Sequence, residues 1–204
     1  TYFFREAYQF EALVEGVLPE WEGRRTQGEP LRIWTLPSST GEELYSVALH
    51  LLTRWPRVDE VEVELVGSDI DRDAVAMARE GIYDPHKLRN LSVPLKQRFF
   101  TRLADGRYRI HPRLRESVSF RAANALRSEE TRALGSFDVI FCRNMLIYFD
   151  SEARRQAADN LFEALKPGGI LFLGHSESMS RISSQVQTRK FGDVFAYQKP
   201  RAVS

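Results

Sequence analysis

Phe137-Asp138-Val139-Ile140-Phe141-Cys142 carries apolar residues on both of its alternating faces, so as a strand it leaves no side for water. Such a run belongs inside a parallel sheet covered above and below, and parallel strands must be joined by long, usually helical crossovers. The apolar run then ends at Arg143-Asn144, with the phenol of Tyr148 close behind. In open α/β sheets ligands sit beyond the carboxyl ends of the strands, a rule that makes this segment the wall of a pocket. Taken alone, the same run is equally a core strand leading into a capped helix.

The rest of the chain alternates strand and helix patterns as a parallel sheet requires. Leu31 to Leu36 reads as the first strand, and Gly41 to Trp55 as its helix, with Leu44, Val47, Ala48, Leu51 and Leu52 on one side and Pro56 closing it. Val61 to Gly67 is the second strand, and Asp71 to Glu80 its helix, stopped by Gly81. The period fails between Tyr83 and Phe120, where Pro85, Pro94, Pro112 and the turn signal Asp105-Gly106 intervene. Arg107-Tyr108-Arg109-Ile110 alternates there, which predicts an inserted, hairpin-bearing subdomain at about 84–120. Val118 to Ala122 returns to the sheet, Ser151 to Leu165 forms a helix ending before Pro167-Gly168-Gly169, and Ile170 to Gly174 and Val194 to Gln198 close the sheet.

Composition narrows the function. A length of 204 residues suits one α/β domain. Twenty-nine basic residues against twenty-eight acidic ones leave a net charge of +1, which argues against a nucleic-acid-binding surface. One cysteine rules out an internal disulfide, and without a Cys/His cluster no metal site is expected. The sequence shows neither a signal peptide nor a membrane-length apolar run, so a cytoplasmic protein without membrane insertion is expected. The abrupt start at Thr1-Tyr2-Phe3-Phe4-Arg5 reads as a fragment of something longer.

Two loops look like parts of a nucleotide-type site. Ser38-Ser39-Thr40-Gly41-Glu42-Glu43 joins a strand end to a helix start, where free amides and the helix dipole suit a carboxylate. Glu42, in the first helical turn, suits an ammonium group or a sugar hydroxyl. Read alone, the loop is an ordinary helix start with a Ser or Thr cap. Roughly 30 residues on, Gly67-Ser68-Asp69-Ile70-Asp71 puts an acid at a strand end, near the spacing at which such folds bind ribose. Asp69 is the candidate, Ile70 is placed to pack on a base, and Asp71 reads as a helix cap. There is no Gly-x-Gly-x-x-Gly and no phosphate-loop Lys.

Together with Ala78-Arg79-Glu80-Gly81-Ile82-Tyr83, Cys142-Arg143-Asn144-Met145-Leu146-Ile147-Tyr148-Phe149 and Gly174-His175-Ser176-Glu177-Ser178, these pieces resemble the CheR-type chemoreceptor methyltransferases over nearly the whole chain. The resemblance implies a Rossmann-like S-adenosylmethionine-dependent methyltransferase fold, with a mostly parallel sheet, helices on both faces and a small inserted antiparallel β-subdomain. Residues 1–204 would be the catalytic domain, without the family's amino-terminal helical domain. The implied reaction moves a methyl group from S-adenosylmethionine to receptor glutamates, leaving S-adenosylhomocysteine. The implied partner is the cytoplasmic region of a methyl-accepting chemoreceptor, met by a monomer in the cytoplasm.

By that resemblance Thr1 and Arg5 would contact the methionine end of the cofactor, and Glu42 its amino-acid or ribose region. Asp69 would hold the ribose, Ile70 flank the adenine, Asn124 and Ala125 meet the adenine edge, and Asn144 and Met145 line the cleft near the sulfonium. Arg5 and Tyr148 would orient the incoming carboxylate, since a guanidinium matches a carboxylate bidentately and a phenol donates one directional hydrogen bond. His175 more often serves packing or a local hydrogen bond at such a place. The resemblance departs at Leu36-Pro37-Ser38, where the family has small residues, and bulk there predicts weakened cofactor binding. The alternative function is therefore a methyltransferase-like, non-catalytic binding or regulatory module.

Overall fold

A computed structural model describes residues 1–179 and 186–201. It opens on a helical stretch made of α1 (Tyr8–Ala12), a wider π-helical turn (Leu13–Val17) and α2 (Leu18–Glu22). Then come β1 (Leu31–Leu36), α3 (Glu42–Arg54), β2 (Val63–Asp69) and α4 (Arg72–Glu80). The inserted unit contains β3 (Ile82–Tyr83), a 3-10 turn (Pro85–Leu88), α5 (Val93–Phe99), β4 (Phe100–Arg102), β5 (Tyr108–Ile110) and α6 (Pro112–Glu116). The chain continues through β6 (Val118–Ala122), α7 (Ser128–Ala133), β7 (Phe137–Cys142), a 3-10 turn (Leu146–Tyr148), α8 (Ser151–Ala164), β8 (Leu165–Leu173), β9 (Gln187–Phe191) and β10 (Val194–Gln198).

The main sheet runs β6-β2-β1-β7-β8-β10-β9. Its first five members are parallel, while β10 runs antiparallel to β8 and to β9. Strand alternation explains why β1 and β7 carry apolar residues on both faces. Ile33, Val139 and Phe141 join the core beneath α1 to α4 and the insert, whereas Trp34, Leu36, Ile140 and Cys142 join a second core with Ala157, Ala158 and Leu161 of α8. The polar member of β7, buried Asp138, accepts from the Arg32 amide at 2.9 Å and from Lys166 Nζ at 3.0 Å.

Several boundaries move. The second strand is not Val61 to Gly67 but ends on Asp69, because β2 stays in register with β6 out to the Asp69–Ala122 pair. The strand expected at Ile170 begins at Leu165 and passes through Pro167-Gly168-Gly169, with Gly168 at φ +76°. The sequence assigns no strand between Gly174 and Val194, yet β9 forms there at the sheet edge, with Phe191 its one buried residue. Such polar, cationic edges resist pairing with other chains. The insert is an antiparallel β3-β5-β4 sheet that recruits Ile82–Tyr83 from before the expected boundary. Pro94 and Pro112 do not break the local structure but stand in the first turns of α5 and α6, where the missing amide is not needed.

Candidate functional site

The chain builds β2 and β6 outward on one side of β1 and then crosses to place β7 on the other. That reversal opens a crevice at the carboxyl ends of β1 and β7, where Leu36 pairs with Cys142 and the Arg143 amide donates to the Leu36 carbonyl at 3.2 Å.

The loop after β1 is held by its neighbour. The Ser38 amide donates to the Ser68 carbonyl at 2.7 Å, and the Ser39 amide to Asp69 Oδ2 at 2.7 Å. The helix α3 has no Ser or Thr cap, contrary to expectation. Gly41 caps it at φ +94°, and a Cβ there would lie 2.9 Å from Phe120 and 3.0 Å from Ala78, so only glycine fits. Glu42 is fully buried, with Thr40 Oγ1 donating to it at 2.7 Å and Lys87 Nζ, from the insert, at 2.8 Å. Leu36 does not add bulk to the loop, because its side chain is 2 % exposed within the α8-side core. The Ser38 hydroxyl is buried without a partner among the described residues, which is what a polar ligand at this loop would satisfy.

At the end of β2, Asp69 Oδ1 accepts from the Asp71 amide at 3.0 Å, and Asp71 in turn caps α4 through the Asp73 and Ala74 amides. Ile70 projects beside it, 68 % exposed. The Ala123 amide donates to the Asp69 carbonyl at 2.9 Å, bringing Asn124 next to the acid. Asn124 Oδ1 is taken by the Leu126 amide at 2.9 Å, and the Asn124 amide donates to Glu130 at 2.8 Å. Ala125 is buried in the α8-side core, and its carbonyl accepts from Asn160 Nδ2 at 2.8 Å.

The amino-terminal motif is laced across this edge. The Phe3 amide donates to the Lys87 carbonyl at 3.0 Å, the Phe4 amide to Ser46 Oγ at 2.9 Å, and Glu6 Oε1 meets His175 Nδ1 at 3.0 Å. Arg143 Nη2 donates to the Arg5 carbonyl at 2.6 Å. Thr1 and Arg5 are therefore held over Glu42 and over the end of β7. Asn144 takes φ +58°, a left-handed conformation that Asn tolerates, with partly buried Met145 after it. Tyr148 is 80 % exposed and Arg5 is half-buried, and neither side chain is committed to a hydrogen bond or ion pair among the described residues.

Beneath the motif lies a shared charge. The Arg143 guanidinium, almost wholly buried, faces Glu43 Oε2 at 3.0 Å and Glu6 Oε2 at 3.8 Å, with Gln9 Oε1 at 3.5 Å. One cation serves two carboxylates, and burial wins at Glu43: its pKa rises from 4.5 to about 7, helped by Glu6 and opposed by Arg143. The folded chain thus holds this proton more tightly than the unfolded chain. Its contribution to stability is full below pH 4.5 and is lost as pH rises towards 7. Urea midpoints measured from pH 5 to 8 are expected to fall relative to those of Glu43→Gln across that window, and parallel curves would exclude the effect.

Lys87, Glu43 and the partners of Arg143 were not found from sequence. Lys87 lies in the aperiodic insert, and no periodicity or spacing around Arg143 and Glu177 assigns them work. A groove of about 480 Å³ between Leu51, Leu52, Val58, Val61, Phe99 and Leu114 lies towards the amino-terminal end of β2, away from these groups.

Comparison with known proteins gives the family. The model of the CheR methyltransferase, SAM binding domain, matches residues 1–194. "Chemotaxis protein methyltransferase 2" of Vibrio cholerae serotype O1 is 46% identical over 200 residues, which span 98% of this chain and 69% of that protein. A protein of the same title from Pseudomonas aeruginosa is 38% identical, over 92% of this chain and 66% of its own length. The chain thus spans about two thirds of the length of these relatives. Among solved structures, the citrinin polyketide synthase CMeT domain superposes with a TM-score of 0.54 at 14% identity, over 90% of this chain and 50% of that one. The rRNA methyltransferase aviRa from Streptomyces viridochromogenes gives 0.52 at 16%, over 92% and 83%. Those two likenesses establish the Rossmann-like methyltransferase fold; the family match and the near relatives establish more, and the chain belongs to the CheR methyltransferases as their S-adenosylmethionine-binding domain.

Proposed function

We propose that this chain transfers the methyl group of S-adenosylmethionine to glutamate side-chain carboxylates in the cytoplasmic region of methyl-accepting chemoreceptors, forming glutamate methyl esters. The carrying observation is the convergence at one sheet edge of the Ser38–Gly41 loop, Asp69, Asn124 and Asn144 beneath the Thr1–Arg5 segment. The set suits the cofactor. Asp69 offers acceptor capacity for ribose hydroxyls, exposed Ile70 an apolar flank for a base, and the orphaned Ser38 hydroxyl a polar contact. Glu42, tied to Thr40 and Lys87, supplies negative charge below Thr1 and Arg5. Asn144 and Met145 line the β7 end of the crevice. Among the described residues no helix is long and apolar enough to cross a membrane.

S-adenosylmethionine, when bound, supplies an activated methyl on sulfur. A glutamate carboxylate is ionised near neutral pH, so no general base is required. A carboxylate oxygen forms the new O–C bond while the S–C electron pair stays with sulfur, and no proton moves. What the chain must provide is alignment, by holding acceptor and donor at near-attack distance. Arg5 and Tyr148, whose side chains have no hydrogen bond or ion pair among the described residues, are the groups for the acceptor carboxylate. The non-catalytic alternative rested on the Leu36-Pro37 loop, on bulk at Leu36 and on the amide that Pro37 lacks; the Leu36 side chain lies in the core, which removes the first of these grounds.

Incubation with methyl-labelled cofactor and a receptor cytoplasmic fragment is expected to give label released as volatile methanol in alkali. Label that survives alkali would point to another acceptor, and no transfer by a chain that binds S-adenosylhomocysteine would remove the proposal. Tyr148→Phe is expected to lower the transfer rate about tenfold, the worth of one hydrogen bond to a charged group, with S-adenosylhomocysteine affinity unchanged. An unaltered rate would show that the phenol does not touch the acceptor.

A further inference from the structure

One carboxylate organises the whole β7 end of the crevice. Glu177, beyond β8, accepts from the backbone amides of Asn144 and Gly174 at Oε2, at 2.8 and 2.9 Å, and from Met145, Leu146 and Ile147 at Oε1, at 2.9, 2.7 and 3.3 Å. Four successive amides, 144 to 147, converge on a single side chain 30 to 33 positions away in sequence. These are the donors that the left-handed turn at Asn144 and the start of the 3-10 turn Leu146–Tyr148 leave without backbone partners. An anion there also complements the positive ends of those peptide dipoles. Gly174 makes the approach possible: a Cβ on it would lie 2.8 Å from Glu177 Oε2, 3.1 Å from the Asn144 amide and 3.1 Å from Asn144 Nδ2.

We infer that Glu177 is a positioning residue for methyl transfer, whose carboxylate fixes the backbone that presents Asn144 and Met145 to the cofactor and Tyr148 to the acceptor. The inference rests on the proposed roles of those three residues. It assigns the Gly174-His175-Ser176-Glu177-Ser178 segment a specific task, performed by Glu177 through Gly174. A neutral amide cannot perform it. In either orientation Gln turns its NH2 towards at least two backbone donors, so N–H faces N–H where the carboxylate accepted.

The test compares S-adenosylhomocysteine affinity, by calorimetry, in the unmodified chain, Glu177→Gln, Glu177→Asp and Leu51→Ala. Leu51 is a core residue on the far half of α3, 1 % exposed, whose truncation lowers stability without reaching the crevice. Glu177→Gln is expected to weaken binding at least tenfold, and Glu177→Asp, which keeps the charge but is shorter, by less. Hydrogen exchange in a peptide covering 144–147 is expected to quicken in Glu177→Gln and not in Leu51→Ala. Where Glu177→Gln is recovered in low yield, Glu177→Asp carries the same comparison. Unchanged affinity in Glu177→Gln, or an equal loss in Leu51→Ala, would overturn the inference. Failure of the unmodified chain to bind S-adenosylhomocysteine would instead count against the cofactor reading beneath it.

Discussion

Arg143→Met is expected to destabilise the fold by about 3–5 kcal/mol at pH 8, the range for a buried pair that loses one partner. Three things go at once. Glu43 Oε2 loses its cation at 3.0 Å, Glu6 its more distant one at 3.8 Å, and the Arg5 carbonyl its only side-chain donor among the described residues, at 2.6 Å. Met replaces much of the volume over Phe10, where the guanidinium sits 5.4 Å from the ring, so the loss is electrostatic more than steric. The cost must depend on pH. Glu43 already holds its proton up to about 7, and without Arg143 it holds it further, so at pH 6 the exposed deficit is smaller. Urea unfolding at pH 6 and pH 8 measures the difference, and the double variant Arg143→Met, Glu43→Gln is expected to recover part of the pH 8 loss. A cost under about 1 kcal/mol at pH 8, equal at both pH values, would mean that solvent reaches the cluster and the two acids need no shared cation.

That cluster also shows where sequence reasoning stops. The parallel sheet was legible because β1 and β7 are apolar on both faces, and strand parity sends Phe141 and Ile140 to opposite cores. The proposed ligand-facing positions were picked out for the same reason: Asp69 and Asn144 are polar residues at the ends of apolar runs. Asp71 was correctly read as a cap, because a cap is a local device spanning two or three residues. The helical stretch at 8–22 was not anticipated, since Gly16 and Pro19 interrupt its pattern, while burial of Phe10, Leu13, Leu18 and Trp21 against the sheet sustains it. Lys87 on Glu42, Glu177 on the 144–147 amides and the sharing of Arg143 are contacts between distant positions, and no spacing along the chain encodes them. The helix start at Gly41 shows the reverse error. Ser39 and Thr40 have the right chemistry for a cap, yet Ser39 gives its amide to Asp69 and Thr40 its hydroxyl to Glu42, which leaves the cap position to glycine.

Asp69→Ala is expected to lower S-adenosylhomocysteine affinity by about 100-fold, the scale of one or two charge-assisted hydrogen bonds. Part of any loss would be indirect, because Asp69 also carries the Ser39 amide at 2.7 Å and the Asp71 amide at 3.0 Å and so shapes both neighbouring loops. The two contributions separate in a cycle with an analogue lacking one ribose hydroxyl. If the carboxylate holds the ribose, the unmodified chain binds the deoxy analogue about tenfold or more weakly than the parent ligand, and Asp69→Ala binds the two nearly alike. If the carboxylate only braces the Ser39 loop, both proteins discriminate between the ligands to the same degree. Equal discrimination would move the ribose contact to another group at this edge, with the Ser38 hydroxyl, buried and without a partner among the described residues, first in line.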